Sequence, residues 1–253
     1  MCNQARNNME QQTSIISGRN PVIEALKAGR EIEKLHILKG TEGSIKKITG
    51  MAKEKGIPIF YEEKQAIERM TSGNHQGVVA IVSAHSYCEM EDIIELAKKR
   101  GEDPFVIILD GVEDPHNLGA IIRTAEAAGV HGVIIPKRRA VGITQTVVKA
   151  SAGATEYMLC AKVSNIVQSI EKLQDMGLWI GAACVGGTTY HDANLKGAIG
   201  LVIGGEGDGV SKLVKEKSDF VLSIDMKGKI NSLNASNAAA ILMYEVRRQR
   251  DGK

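Results

Sequence analysis

The chain has 253 residues, of which 43% are hydrophobic and 25% are charged, and its formal net charge is +2. That length fits one large domain or two smaller ones, and the low net charge excludes a uniformly basic nucleic-acid-binding protein. No apolar run is long enough to span a bilayer, so we expect no membrane segment. Any contact with RNA must then come from local basic clusters. The candidates are Lys46-Lys47, Lys98-Lys99-Arg100, Lys137-Arg138-Arg139, and Arg247-Arg248 with Arg250.

The amino-terminal residues 1–14 are polar and lack the apolar segment of a signal peptide. They predict a disordered arm and a cytoplasmic protein. The four cysteines show no metal-ligand spacing, and we interpret them as reduced thiols of such a protein. They are Cys2, Cys88, Cys160 and Cys184.

Residues 15–84 alternate between helical and strand-like patterns and predict a small α/β domain. Asn20-Pro21 begins a helix that Gly29 ends, and a second helical pattern ends at Gly56. A third helix is predicted near residues 65–70. The strands are predicted at residues 35–38, 57–61 and 77–82.

A linker is predicted over residues 85–104. It contains a helical pattern from Met90 to Arg100, followed by the charged, Gly- and Pro-containing segment 101–104.

Residues 105–253 predict a second α/β domain with a mainly parallel sheet. The run Phe105–Leu109 is continuously apolar, as in a strand covered on both faces. Further strands are predicted at residues 132–135, 178–180, 199–203 and 220–224. Helices are predicted at residues 118–128, 144–150, 165–176 and 234–248.

The first segment with chemical potential follows the strand at 105–109 and reads Asp114-Pro115-His116-Asn117-Leu118-Gly119-Ala120-Ile121-Ile122-Arg123-Thr124-Ala125. Asn117 is predicted to cap the helix, because its side chain can accept a backbone N–H. Arg123 lies off the apolar stripe near the carboxyl end of a strand, where α/β sheets bind ligands. Its guanidinium could hold a phosphate there, although a merely solubilising arginine fits the spacing equally well.

The second segment is a glycine-rich loop, in which the strand Leu201–Ile203 runs into Gly204-Gly205-Glu206-Gly207-Asp208-Gly209-Val210. A dinucleotide-binding motif does not fit, because Val210 takes the place of the third glycine. A P-loop does not fit either, because its lysine is missing after Gly209. The pattern indicates a loop whose backbone approaches a ligand closely, or else a plain tight turn.

The third segment is Ile224-Asp225-Met226-Lys227-Gly228-Lys229-Ile230-Asn231-Ser232-Leu233-Asn234-Ala235-Ser236. A strand ends, a loop follows, and two capping residue types, Ser232 and Asn234, precede the last helix. Helix capping alone would explain both residues.

Taken together and in order, the three segments resemble motifs 1, 2 and 3 of the SpoU/TrmH methyltransferases of the SPOUT superfamily, over roughly residues 105–248. Gly18-Arg19-Asn20-Pro21-Val22 and His75-Gln76-Gly77-Val78-Val79-Ala80 resemble that family's substrate-binding domain, which is similar to a ribosomal protein.

The resemblance implies a carboxy-terminal SPOUT domain with a deep trefoil knot, a homodimer, and S-adenosylmethionine as cofactor. It implies transfer of a methyl group to a ribose 2′-hydroxyl in RNA, with a guanosine of 23S rRNA as the expected target. The matching cofactor contacts are Gly204, Ile224 and Leu233. The matching catalytic residues are Arg123, Asn117, Glu206, Ser232 and Asn234. Arg123 would position the phosphate or assist loss of the 2′ proton, and its high intrinsic pKa favours positioning.

Three alternatives stay open at this point: a tRNA 2′-O-methyltransferase, a non-catalytic RNA-binding or resistance protein on the same fold, and a nucleotide-dependent α/β enzyme. The last would use Asp225 to bind a ribose, but the missing glycine pattern makes a loop aspartate the simpler interpretation.

Overall fold

The structure is a computed structural model that describes residues 15–71, 73–83 and 86–252. The predicted arm over residues 1–14 lies outside the described residues. The chain divides into two compact units. The first ends at Ser86 and also includes Gly142–Gln145, and the second contains Tyr87–Val141 and Thr146 onward.

The first unit contains a four-stranded mixed sheet with the strand order β1-β4-β2-β3. Strands β2 and β3 are parallel, and β4 runs antiparallel to both β1 and β2. The strands are β1 (Ile15–Ser17), β2 (Ile32–Leu38), β3 (Ile59–Glu62) and β4 (Val78–Val82), and the helices are α1 (Arg19–Lys27), α2 (Ser44–Glu54) and α3 (Lys64–Met70). All three predicted helices and all three predicted strands are present, and β1 is an additional strand.

Helices α1 and α2 bury one face each in the core of this unit. Ile45, Ile48 and Ala52 of α2 lie three and four residues apart and are 4% exposed or less. They pack with Leu35 and Ile37 of β2. The opposite face of α2 is therefore left to solvent.

The second unit contains a six-stranded, wholly parallel sheet with the order β10-β8-β9-β5-β6-β7. Its strands are β5 (Phe105–Asp110), β6 (Gly132–Pro136), β7 (Leu159–Val163), β8 (Trp179–Thr189), β9 (Ile199–Gly204) and β10 (Phe220–Ser223). Its helices are α4 (Met90–Arg100), α5 (Pro115–Ala127), α6 (Gln145–Ala150), α7 (Ile166–Asp175), α8 (Lys212–Lys217) and α9 (Ala235–Arg250). A 3₁₀ turn lies at Ala154–Glu156.

The middle of this sheet is buried on both faces, which explains why its strands are continuously apolar. Val106, Ile107, Ile108 and Leu109 of β5 are all fully buried. The neighbouring strands β6 and β9 run parallel to β5, so the loops that follow these three strands leave the sheet at the same edge. Open α/β sheets bind ligands at that edge.

Helix α4 confirms the helical pattern predicted from Met90 to Arg100, and its Met90, Ile93 and Ile94 belong to the core of the second unit. Other segments differ from the predictions. Strand β7 and helix α8 were not predicted, and β8 continues to Thr189 rather than ending near Ile180.

Of the described cysteines, Cys160 is buried and Cys88 and Cys184 are partly buried, and all three are free thiols. Burial raises the pKa of Cys88 to about 11 and raises that of Cys160 as well. In the described part of the chain, no helix is both long and apolar enough to cross a membrane, and no cluster of His, Cys, Asp or Glu could hold a metal ion.

Candidate active site

The carboxylate of Glu206 connects the three motif segments. Its Oε1 accepts a hydrogen bond from Nδ2 of Asn117 and another, 3.3 Å long, from Nδ2 of Asn234. Asn117 lies in α5, Glu206 in the loop after β9, and Asn234 immediately before α9. The structure therefore brings together three of the five residues that the sequence identifies as catalytic candidates.

The start of α5 differs from the prediction. The helix begins at Pro115 and is capped by Asp114, whose Oδ1 accepts a hydrogen bond of 2.8 Å from the N–H of His116. Asn117, predicted as the cap, lies inside the helix and is only 6% exposed. The prediction of its capping role was therefore wrong. Because the cap is supplied by Asp114, the amide of Asn117 is free to reach Glu206.

Asn234 does cap α9, since its Oδ1 accepts hydrogen bonds from the N–H (2.9 Å) and the Oγ (2.6 Å) of Ser236. The same side chain donates to Glu206 through Nδ2. One residue thus fixes the start of the last helix and the glycine-rich loop at once.

The glycine-rich loop folds back on itself and against the loop after β5. The N–H of Gly205 donates a 2.9 Å hydrogen bond to the carbonyl of Asp110. A Cβ atom at Gly204 would collide with the backbone of Gly209, and one at Gly205 would collide with the backbone of Gly111. By contrast, a Cβ at Gly207 would meet nothing within 4 Å. The first two glycines are therefore required by close backbone approach, and Gly207 is not.

A cavity of about 410 Å³ lies beside this loop. It is lined by Gly204, by the apolar side chains of Ile224 and Leu233, and by Ser232. Its volume lies in the range of small-molecule and cofactor sites. The two branched side chains offer apolar walls and the glycine offers backbone groups without a side chain, which suits a flat, partly polar ligand.

Residues that the sequence analysis did not identify also line this cavity. Met226 and Leu242 extend the apolar wall, and Cys184 and Lys215 lie on its polar side. Burial raises the pKa of the Cys184 thiol, with Lys215 opposing the shift, so the thiol is held in its neutral form. No local sequence signal identifies these residues together, because they come from β8, α8, α9 and the loop between β10 and α9.

A second cavity of about 460 Å³ shares Glu206 and the rest of the loop from Gly205 to Gly209 with the first. It carries charges of both signs, because two arginines and five acids line it: Arg138, Arg139, Asp110, Glu113, Asp114, Glu206 and Asp208. The loop with the two arginines is joined to the loop after β5 by a 3.0 Å hydrogen bond from the N–H of Val141 to the carbonyl of Val112. Such a polar cavity next to an apolar one could accept a second, charged reactant.

Arg123 is not brought into this cluster. It is exposed on α5 and lines neither of the two cavities. Within the described residues, no hydrogen bond or ion pair is made by its guanidinium. Arg123 is therefore available for a contact outside the chain.

The architecture and this site define the class of protein: a parallel α/β domain with a glycine-lined cavity at the carboxyl ends of its strands, joined to a second α/β unit. The sequence profile of the SpoU rRNA Methylase family matches residues 104–244. The profile described as RNA 2′-O ribose methyltransferase substrate binding matches residues 15–88. The chain belongs to the SpoU rRNA methylase family, and it is an RNA methyltransferase of the SpoU/TrmH class.

Similar proteins agree with this assignment. YacO of Bacillus subtilis (strain 168), assigned to the TrmH family of tRNA/rRNA methyltransferases, is 45% identical over 245 residues, 96% of this chain and 98% of that protein. The AdoMet-bound rRNA methyltransferase of Sinorhizobium meliloti is similar in structure, with a TM-score of 0.59, 25% identity, and coverage of 96% of this chain and 90% of that one. The SpoU methyltransferase AviRb of Streptomyces viridochromogenes, solved with AdoMet, shares the fold at a TM-score of 0.59 and 23% identity, covering 94% of this chain and 91% of that one.

Proposed function

We propose that this protein transfers a methyl group from S-adenosylmethionine to a ribose 2′-hydroxyl of a guanosine in 23S rRNA. The observation that carries the proposal is the cavity formed by Gly204, Ile224 and Leu233, which shares Glu206 with a second, charged cavity. One reactant can occupy each cavity, with the reacting atoms meeting at the shared wall.

The residues of the cavity of about 410 Å³ fit the methyl donor, S-adenosylmethionine. Ile224 and Leu233 would wall its adenine ring, and the backbone of Gly204 would approach it without a side chain in between. When bound, S-adenosylmethionine would supply an electrophilic methyl group from its sulfonium, and the ribose 2′-hydroxyl that accepts this methyl group would lose its proton to solvent.

The chain's own task is to position the weak hydroxyl nucleophile. Glu206 holds Asn117 and Asn234 in fixed orientations, and Ser232 borders the cofactor cavity beside them. The proposed role of Arg123 is to bind the phosphate next to the target ribose through two hydrogen bonds.

The proposed homodimer brings Arg123 of one protomer to the cavity of the other. Because Arg123 is exposed and lines neither cavity of its own protomer, we assign it to the site of the partner protomer. The proposed homodimer therefore forms each active site from both chains.

The proposed fold of residues 105–253 includes a deep trefoil knot. Two observations support this proposal: the backbone at Gly204 and Gly205 packs directly on that of Gly209 and Gly111, and segment 224–235 borders the same cavity. Residues 15–84 form the substrate-binding domain, with a fold similar to a ribosomal protein.

The test is transfer of labelled methyl from S-adenosylmethionine to unmodified 23S rRNA and, in parallel, to unmodified tRNA, followed by mapping of alkali-resistant linkages. A single resistant linkage at a guanosine of the rRNA is the expected result. A resistant linkage in tRNA alone would instead support the alternative that the protein is a tRNA 2′-O-methyltransferase. Cofactor binding with no transfer to either RNA would favour a non-catalytic RNA-binding protein.

A further inference from the structure

Helix α2 of the first unit carries an unusual concentration of positive charge on its solvent face. Residues 44–55 contain four lysines and a single acid, Glu54, a net charge of +3, whereas the whole chain has +2. Lys46, Lys47 and Lys53 are all exposed. Within the described part of the chain, none of these three makes a hydrogen bond or ion pair, so their charges are available to a partner.

Gly50 lies at the centre of this face. It is four residues after Lys46 and three before Lys53, so the three residues are neighbours on the helix surface. Glycine in an exposed helix interior is less favourable than alanine because it costs more backbone entropy. A Cβ at this position would meet nothing within 4 Å, and the residue does not have a positive φ. Packing within the chain therefore gives no reason for a glycine here.

The positions of the lysines are also unfavourable for the helix itself. Lys46 and Lys47 follow Ser44 closely in the first turns of α2, where the helix dipole favours acids, and no acid is present in the first turn. The dipole explains Lys53, which is in the last turn, but it does not explain the other two. Gly50, Lys46 and Lys47 of the exposed face thus each reduce the stability of α2.

We propose that the exposed face of α2 binds the sugar-phosphate backbone of the RNA substrate, which passes over Gly50 with phosphates paired to Lys46, Lys47 and Lys53. The missing Cβ at Gly50 lets the RNA backbone approach the helix closely. Lys46 and Lys53 are about 10 Å apart along the helix axis, so they contact different phosphates. This inference rests on the proposed function, because it takes RNA as the negatively charged partner of these lysines.

An anionic membrane surface is a poorer partner for the same face. A helix that lies on a membrane must bury an apolar face there. The apolar face of α2, with Ile45, Ile48 and Ala52, is already buried in the core of the unit. The exposed face of α2 carries lysines and a glycine, which suit contact with a phosphate backbone.

The experiment compares the full-length protein with three variants, Gly50→Ala, the double variant Lys46→Ala/Lys53→Ala, and the control Lys196→Ala. Lys196 is an exposed lysine in the loop before β9, in the other unit, and it belongs to none of the basic clusters of the sequence. For each protein we would measure the Kd for unmodified 23S rRNA at several salt concentrations, the affinity for S-adenosylmethionine, and Tm.

Gly50→Ala is expected to raise Tm by about 2 °C and yet to weaken RNA binding by about fivefold. In the double lysine variant, the plot of the logarithm of the RNA association constant against log salt is expected to be less steep. The magnitude of its slope should decrease by about 1.5, as for two lost phosphate contacts. Lys196→Ala is expected to change neither quantity, and cofactor affinity should stay constant in all variants.

The inference is overturned if Gly50→Ala and the double lysine variant both bind RNA like the wild type, or if Lys196→Ala weakens binding equally. It is also overturned if α2 variants lose binding to anionic vesicles while RNA affinity is unchanged. A wild-type protein that binds no RNA would instead contradict the proposed function, so the two failures are distinguishable.

Discussion

The side-chain amide of Asn117 donates a hydrogen bond to the carboxylate of Glu206, a residue 89 positions later in the chain. The donor is almost fully buried, whereas the acceptor is exposed in a loop that borders two cavities. The loop is therefore held by a buried group of α5, and its position depends on the helix.

Removal of the Glu206 carboxylate should destabilise the protein through Asn117. Glu206→Ala leaves the buried amide of Asn117 with only its longer hydrogen bond of 3.5 Å to Oδ2 of Asp114, and loss of the charged acceptor costs about 1–3 kcal/mol of unfolding free energy. Urea unfolding of the purified variant measures this cost. The control is Asp208→Ala, which removes an exposed acid from the same loop and should change stability by less than about 0.5 kcal/mol. Equal effects of the two substitutions would show that the hydrogen bond to Asn117 contributes nothing.

The two classes of glycine in the loop should respond differently to a methyl group. Gly204→Ala places a Cβ against the backbone of Gly209 and should cost about 1–3 kcal/mol and reduce cofactor affinity. Gly207→Ala places a Cβ in open space and should preserve both. Urea unfolding and calorimetric titration with S-adenosylmethionine provide the two measurements. Tight cofactor binding by Gly204→Ala would disprove the assignment of this loop to the cofactor.

Arg123→Ala should lower the rate of methyl transfer by about 100-fold or more, because a group that positions the reacting phosphate is lost. The affinity for S-adenosylmethionine should not change, since Arg123 lines neither cavity of its own protomer. Single-turnover transfer to rRNA and cofactor titration separate the two effects. Lys196→Ala, which removes an exposed cation from the loop before β9, serves as the control and should retain full activity. Full activity of Arg123→Ala would exclude the catalytic role.

Because His131 is buried, we expect the folded protein to lose stability in mild acid. Its Nδ1 accepts a 3.0 Å hydrogen bond from the N–H of Phe105, so Nε2 carries the proton and faces Glu102. Burial lowers the pKa of His131 below its ordinary value, while Glu102 opposes the shift and Arg100 and Arg250 add to it. The unfolded chain therefore takes up a proton first as the pH falls below about 6.5, and the free energy of unfolding decreases there.

Urea unfolding at pH 5 and at pH 7.5 tests this expectation, with His131→Gln as the comparison. The variant is less stable at pH 7.5 but should lose less stability between the two pH values than the wild type. If both proteins lose the same amount, His131 is not the group responsible.

The sequence predicts the buried strands well because burial on both faces leaves a continuous apolar run, as in Phe105–Leu109. It fails for β7, an edge strand with the polar Lys162 inside it, and for the glycine-rich end of β8. Helix α8 has six residues and one buried side chain, Val214, so it has no measurable periodicity. The edge position of a strand depends on tertiary structure, and a very short helix has too few residues to show a period. A local sequence pattern therefore predicts neither.

The residue types of the site are readable in the sequence, but their contacts are not. The cap of α5 could have been predicted from Asp114 followed by Pro115, since proline favours the first position of a helix. The bond from Asn117 to Glu206 could not, because it depends on how two distant loops meet. The cavity walls supplied by Met226 and Leu242 depend on the same packing.

The proposed cofactor cavity requires Leu242 of α9, whereas all four strands of the first unit precede residue 83. At a synthesis rate of roughly 5–20 residues per second, about ten to thirty seconds separate the synthesis of β4 from that of Leu242. A nascent chain can therefore display its first sheet and α2 well before it can bind a methyl donor. A growing chain that engages RNA through α2 would be unable to modify it until α9 has been made.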